Sequence, residues 1–429
     1  MFGFANFLLL ALFAAAVFDL IFALARGGGL RGALHGLWNT PHLLLGQQLA
    51  EWRLQLGRIL FAAGLAAYEI SVVFCNSMAR QNWAWVQGVM SPVLEWLAFL
   101  CFGAKILFGT RYTWRELLAG GALYFIARWV YFNSQNIWWI GIVVAVLAAK
   151  DVPLRHPLQV YFASGCAAMA VVLALHFAGI VAPDLTSERM GALRGTYGYG
   201  HPNTFGGLVF GLVLAYALLR AQKVRWVDCL LVFAVGVFLL VGPASRSAAL
   251  CTLALAVGLV LCRLRAGHSV PRWWPGTCAG MVGLTAAVSY LLPLLVIKVG
   301  PWNNDIGPAW LAKLDSLLTC RISLTWMAYR LLDVKIAGQV FNWPTVDNSF
   351  AFALFQFGPV VAALLGILFA AALWGHAKQG RRVEVCCLFA MLAYAYMEVQ
   401  PFHLTTNPTA LLLCGAVFAQ TSARWQKIE

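Results

Sequence analysis

Six ionisable side chains and two asparagines, spread over five short polar stretches, could act together in this chain. The first stretch runs from Arg194 through Gly195, Gly198, Gly200 and His201 to Asn203-Thr204, which begins a helix with good capping chemistry. Arg194, His201 and Asn203 stand near the positive end of that helix, and the glycines let backbone approach a ligand closely. This combination suits an anion such as a diphosphate. The same residues also describe a glycine-rich surface turn closed by an N-cap, with Arg194 merely solvated. The second stretch, Gly242 to Ser247, carries Arg246, either a second phosphate contact or an arginine snorkelling to lipid headgroups. In the third, Leu311, Leu314, Leu317, Leu318 and Ile322 recur at three- and four-residue spacing. That spacing predicts a surface helix over 309–332 with Arg321 in its middle. The same spacing also describes an ordinary amphipathic helix with a basic polar face. The fourth is Asp347-Asn348, a common cap or a carboxylate able to take a proton from a hydroxyl group. The fifth is Glu398, at the end of an apolar run where a carboxylate needs partners that nearby arginines would supply. Glu69, Glu95 and Arg128 lie inside apolar runs, need partners too, and read as structural pairs within a bundle.

The elements that must position these residues follow from composition. The chain has 429 residues, is 62% hydrophobic and only 11% charged, against about a quarter charged in soluble domains. A soluble globular protein is excluded. Apolar runs near the roughly 20 residues that span a hydrocarbon core predict thirteen membrane helices, near 2–25, 57–76, 85–104, 116–132, 136–149, 158–182, 203–219, 227–243, 247–262, 274–297, 349–374, 384–398 and 403–420. A count of twelve to fourteen fits equally well. A half-apolar patch, His35 to Leu49, suits an interfacial helix. The polar stretch 299–348 is far longer than ordinary connections and too rich in Trp, Leu and Phe for a solvated linker. It is expected to cover a site at the membrane surface.

The net charge of +14 has a topological explanation. Alternate connections hold 20 of the Lys and Arg residues, the opposite set holds nine, and Arg128 lies inside a helix. The positive-inside rule then makes the richer set cytoplasmic, with the N-terminus outside and the C-terminus inside. No nucleic acid is needed. Every stretch with unusual chemistry falls on the outer side. The eleven cysteines form no CxxC pair and read as packing residues. No phosphate loop, HExxH or DxD motif occurs, and the cytoplasmic loops are too short for a nucleotide-binding domain. A metal and a cofactor are therefore not expected, and any energy source arrives with the substrate.

Taken together, these positions resemble a family: the bacterial polymerases of O-antigen, capsule and exopolysaccharide assembly (Wzy-like), related to the O-antigen ligases. The resemblance rests on Arg194 with residues 198–206, Ser245-Arg246-Ser247, Leu314 to Arg321, and Val346 to Phe350 followed by Phe357-Gly358. Glu398 with Asn407-Pro408 also fits, so the likeness covers about 190–410. It implies an all-α, polytopic GT-C-type glycosyltransferase in the bacterial plasma membrane with an extracytoplasmic active site. The substrates would be undecaprenyl-diphosphate-linked oligosaccharides, as donor and acceptor. A flippase and a chain-length regulator would be the partners in the bilayer. By the same resemblance Arg194, Arg246 and Arg321 hold the diphosphate, and Asn203 and Asn348 support substrate binding. Asp347, or failing it Glu398 or His201, takes the acceptor's proton. A typical ligase has a His-Asn pair where this chain has Asp347-Asn348, a departure that favours polymerase. A ligase acting on another acceptor and a flippase for the same lipid are the alternatives.

Overall fold

Where every backbone group must find its partner within its own segment, an apolar run in lipid folds as a helix, and the described residues are 77% helical with almost no strand. The computed structural model describes residues 2–25, 29–44, 50–181, 187–189, 192–296 and 308–418. The opening of the long polar stretch, Gly300 to Asp305, lies outside the described residues, as does the end of the last expected span at 419–420.

The first half comprises α1 (Phe2–Ala25), α2 (Gly29–Asn39), α3 (Ala50–Cys75), the short α4 (Ala79–Asn82), α5 (Ser91–Phe108), α6 (Trp114–Ser134), α7 (Ile137–Ala148) and α8 (Arg155–Phe177). Then come α9 (Pro202–Leu219), α10 (Trp226–Val241), α11 (Arg246–Leu264) and α12 (Trp274–Leu291). The remainder holds α13 (Ala309–Leu317), α14 (Arg321–Leu331), α15 (Ser349–Phe352), α16 (Pro359–Lys378), α17 (Arg382–Met397) and α18 (Cys414–Val417). Beside short π and 3-10 turns there are two small antiparallel pairs: β1 (His42–Leu43) with β2 (Arg111–Tyr112), and β3 (Ser187–Arg189) with β4 (Ala192–Arg194).

Among the described residues, eight helices are long and apolar enough to cross a membrane, fewer than the twelve to fourteen expected. Three shorter apolar helices accompany them, at Ile137–Ala148, Trp226–Val241 and Pro408–Val417. The arrangement fits a multi-pass membrane protein. Helix α3 packs against both α5 and α8, α9 bridges α8 to α11 and α17, and α12 lies along α16.

Three expected elements are corrected. The run at 403–420 is no continuous span: it turns through His403–Asn407, forms a tight 3-10 segment at Pro408–Leu413 and ends in α18. Asn407 sets the break, accepting from the Thr409 hydroxyl at 2.5 Å and the Ala410 N–H at 3.2 Å. Its residues Thr409 to Leu413 are buried by protein; a ten-residue apolar run is a core element as readily as a lipid-facing one. The run at 349–374 breaks at Gly358, whose φ of +86° precedes Pro359. The break admits the backbone of residues 336–338, since a Cβ on Gly358 would stand 2.1 Å from the Ile336 carbonyl oxygen and one on Gly338 2.0 Å from that of Gln356. The helix over 309–332 is really two, α13 and α14, parted by left-handed Thr319 and Cys320.

Candidate functional site

Asp315 explains that last break and places Arg321. It is fully buried at the end of α13, and its Oδ1 accepts from the backbone N–H groups of Ile322 and Ser323 at 2.7 and 3.1 Å. Its Oδ2 accepts from the Ser323 hydroxyl at 2.8 Å. The carboxylate thus caps the N-terminus of α14, where unpaired donors and the helix dipole favour a negative charge. Arg321, the first residue of α14, is thereby aimed into the bundle. Sequence reasoning missed Asp315; the signal available was an acid six residues before a basic residue across a Thr-Cys turn.

Arg321 meets Glu398, the residue just beyond the end of α17, at 2.6 Å, and both side chains are only 7% exposed. The other nitrogens of the guanidinium donate to the Leu318 carbonyl at 2.8 Å and to the Met397 carbonyl. Glu398 Oε1 also accepts from the Ser247 hydroxyl at 2.8 Å and from Asn203 Nδ2 at 3.1 Å. Asn203 turns its own Oδ1 to Arg194, which donates at 2.9 Å and reaches the Ala244 carbonyl at 3.2 Å. One connected polar cluster therefore joins Arg194, Asn203, Ser247, Arg321 and Glu398. It lies where the N-termini of α9, α11 and α14 approach one another, three positive helix ends around one carboxylate.

Burial pushes the Glu398 carboxyl up to about 7 against the pull of the Arg321 guanidinium, and the nearby charge of Asp347 adds to the rise. Asp347 is half-buried, and among the described residues nothing hydrogen-bonds or ion-pairs with its carboxylate. Its neighbourhood is pinned by Ser349, whose hydroxyl donates to the Glu398 carbonyl at 2.5 Å. Arg321 and Asp347 thus flank the same glutamate.

The remaining expected residues divide. Arg246 is exposed on the first turn of α11, one residue before Ser247. His201 caps α9, its Nδ1 accepting the Asn203 N–H at 3.1 Å; the ring proton of neutral His201 must then sit on Nε2, which makes it a donor. Asn348 caps α15 through Phe350 and Ala351 at 2.9 and 3.1 Å and donates to Ser289 at 3.1 Å, so its amide serves the fold. The glycines also serve packing: a Cβ on Gly195 would meet the Tyr197 ring at 2.8 Å, and one on Gly198 would meet His176 at 3.0 Å. Only beside Gly200 is there open space among these three. Of the structural pairs expected for Glu69, Glu95 and Arg128, neither glutamate makes an ion pair with a described residue, while Arg128 reaches Asn6 and lies 4.9 Å over the Phe132 ring.

A cavity of about 430 Å³ opens beside the cluster, lined by Thr204, Val399 and Gln400, the chain neighbours of Asn203 and Glu398. Arg80, Glu95, Trp138 and His403 face it from the other side. Neither Arg321 nor Asp347 lines it. Arg80 and Glu95 carry opposite charges that pair with no described residue. The Trp138 and His403 rings lie 3.9 Å apart between centroids. Burial pushes His403 down to about 4, and its Nδ1 is buried without a hydrogen-bond partner among the described residues. No family model, curated protein or solved structure matches the chain.

Proposed function

We propose that this chain is a membrane glycosyltransferase of the GT-C type that polymerises lipid-diphosphate-linked oligosaccharides at the outer face of the bacterial plasma membrane. The observation that carries the reading is the convergence of Arg194, Arg321, Asn203 and Ser247, from four separate segments, on one end of the bundle with Asp347 alongside. A diphosphate leaving group calls for arginines and helix N-termini, and these are what the cluster assembles. Exposed Arg246 offers the first contact to the donor, with Arg194 and Arg321 deeper behind it.

In the reaction, an acceptor hydroxyl oxygen attacks the anomeric carbon of the donor. The carbon–oxygen bond to the diphosphate breaks, and the diphosphate leaves with the electron pair while nearby guanidinium groups offset its growing charge. The hydroxyl proton passes to Asp347, the carboxylate in this region with no competing partner among the described residues. Glu398 is a poor base here, because Arg321, Ser247 and Asn203 all occupy one of its oxygens; His201 spends its acceptor nitrogen on a cap. We assign the glycan next to the reacting bond to the 430 Å³ cavity. Trp138 gives a stacking face there, and Glu95, Arg80 and Gln400 give partners for hydroxyls.

The test is the glycan ladder in cells carrying Arg194→Ala or Arg321→Ala at wild-type protein levels. Collapse of the ladder to single repeats supports the assignment. Full-length ladders from both variants would sink it.

A further inference from the structure

The opposite end of the bundle holds a second, larger cavity, of about 810 Å³. Six cations line it: Arg155 at the start of α8, Arg220 and Lys223 after α9, Arg263 near the end of α11, and Arg381 and Arg382 at the start of α17. Among the described residues the one acid lining it is Glu384. Internal bonding settles part of this charge. Arg220 pairs with Asp228 at 3.2 Å, Arg263 donates to the Val224 carbonyl at 3.1 Å, and Arg382 donates to the Arg265 and His268 carbonyls. The side chains of Arg155 and Lys223 make no hydrogen bond or ion pair with a described residue. Even after Asp228 and Glu384 are set against the six, an excess of four positive charges faces one concavity.

We propose that this cavity binds the phosphate headgroup of an anionic membrane lipid. Loop cations that only fix topology would spread around the rim of the bundle; here they share one cavity and repel one another until an anion enters. Like the basic pockets between membrane helices that hold phospholipid heads, this one is amphipathic: Leu158, Leu218 and Leu219 form part of its wall. Beside it the outer faces of α10 and α11 expose Trp226, Leu261 and Leu264, a track on which acyl chains can lie. A lipid carrying two phosphates matches the charge excess best. The site is independent of the glycan chemistry proposed for the other end.

The test is lipid retention by the full chain, by native mass spectrometry from micelles containing cardiolipin, phosphatidylglycerol or phosphatidylcholine. Cardiolipin is expected to bind most tightly and phosphatidylcholine not at all. Arg155→Gln with Lys223→Gln should weaken cardiolipin by roughly thirty-fold, the loss of about 2 kcal/mol that two cations near an anionic surface produce. Lys335→Gln at the other end should change nothing. Raising the salt on the wild type should release the lipid as well, so the proposal does not hang on the folding of a variant. Equal retention of cardiolipin by wild type and double variant would overturn it, and so would equal retention of phosphatidylcholine. Displacement of cardiolipin by inorganic phosphate would overturn the lipid assignment and make this a site for a soluble anion.

Discussion

Replacing Arg321 by Met should unfold the site, and replacing Glu398 by Gln in the same chain should bring it back. In the wild type the two charges meet at 2.6 Å with both side chains 7% exposed. Arg321→Met leaves the Glu398 carboxylate buried with only the Ser247 hydroxyl and the Asn203 amide as donors. Breaking one half of such a pair costs about 3–5 kcal/mol, mostly from the uncompensated charge that remains. Adding Glu398→Gln removes that charge while a neutral oxygen still accepts from Ser247 and Asn203. The double variant should therefore recover at least about 2 kcal/mol relative to Arg321→Met alone, a coupling within the range for groups in direct contact. Equilibrium unfolding in mixed micelles, followed by helical circular dichroism, reads all four members of the cycle. Glycan transfer should stay lost in the double variant, because the cation that faces the diphosphate is gone. If the single substitutions simply add, or Arg321→Met costs less than about 1 kcal/mol, the buried pair does not hold this end of the bundle together.

Four further outcomes follow from the same geometry. Asp347→Asn should leave stability within about 0.5 kcal/mol of wild type, since its carboxylate makes no bond within the described chain, and should lower the transfer rate by about 10²–10⁴-fold; steady-state kinetics and thermal unfolding together check both halves. Asp315→Ala should cost about 1–3 kcal/mol by uncapping α14, and should weaken donor binding by misplacing Arg321, seen as a raised KM for the donor. With its carboxyl raised to about 7 in the folded chain, Glu398 takes up a proton on folding between the ordinary carboxylate range and pH 7. Its contribution to stability must therefore fall as pH rises through that window. A pH series of unfolding midpoints on wild type and Glu398→Gln should show this slope in the wild type alone. Trp138→Ala should raise the KM for acceptor, and equal KM values for both proteins would remove the cavity from the acceptor's path.

Much of the helical framework was legible because lipid and protein core both demand apolar residues over lengths set by the bilayer. The same fact explains the errors. Leu411 to Leu413 look lipid-facing in sequence and are buried by protein, while the break at Gly358 depends on a backbone approach from Ile336 that no local pattern records. The candidate residues were legible as types: Arg194, Asn203, Arg321 and Glu398 were each singled out, and the need of Glu398 for an arginine was plain from its place at the end of an apolar run. Their pairing was not legible, since residues 203, 247, 321 and 398 lie on four segments that only the packed bundle brings together. Asp315 escaped notice because its partners are backbone N–H groups across a left-handed turn, and a sequence shows neither. At Asn348 and His201 the sequence leaves a ligand and a cap both open, because the same polar atoms serve either task; in the fold their side chains cap α15 and α9.

The most direct measurement is made on purified protein in lipid vesicles, given one synthetic lipid-diphosphate-linked repeat unit and nothing else. The account predicts a ladder of products longer than one unit, with lipid diphosphate released in step with each linkage and the Asp347→Asn protein inactive. A folded wild-type protein that leaves the single unit unextended would contradict it, and passage of that unit across the bilayer without new linkages would point to a transporter.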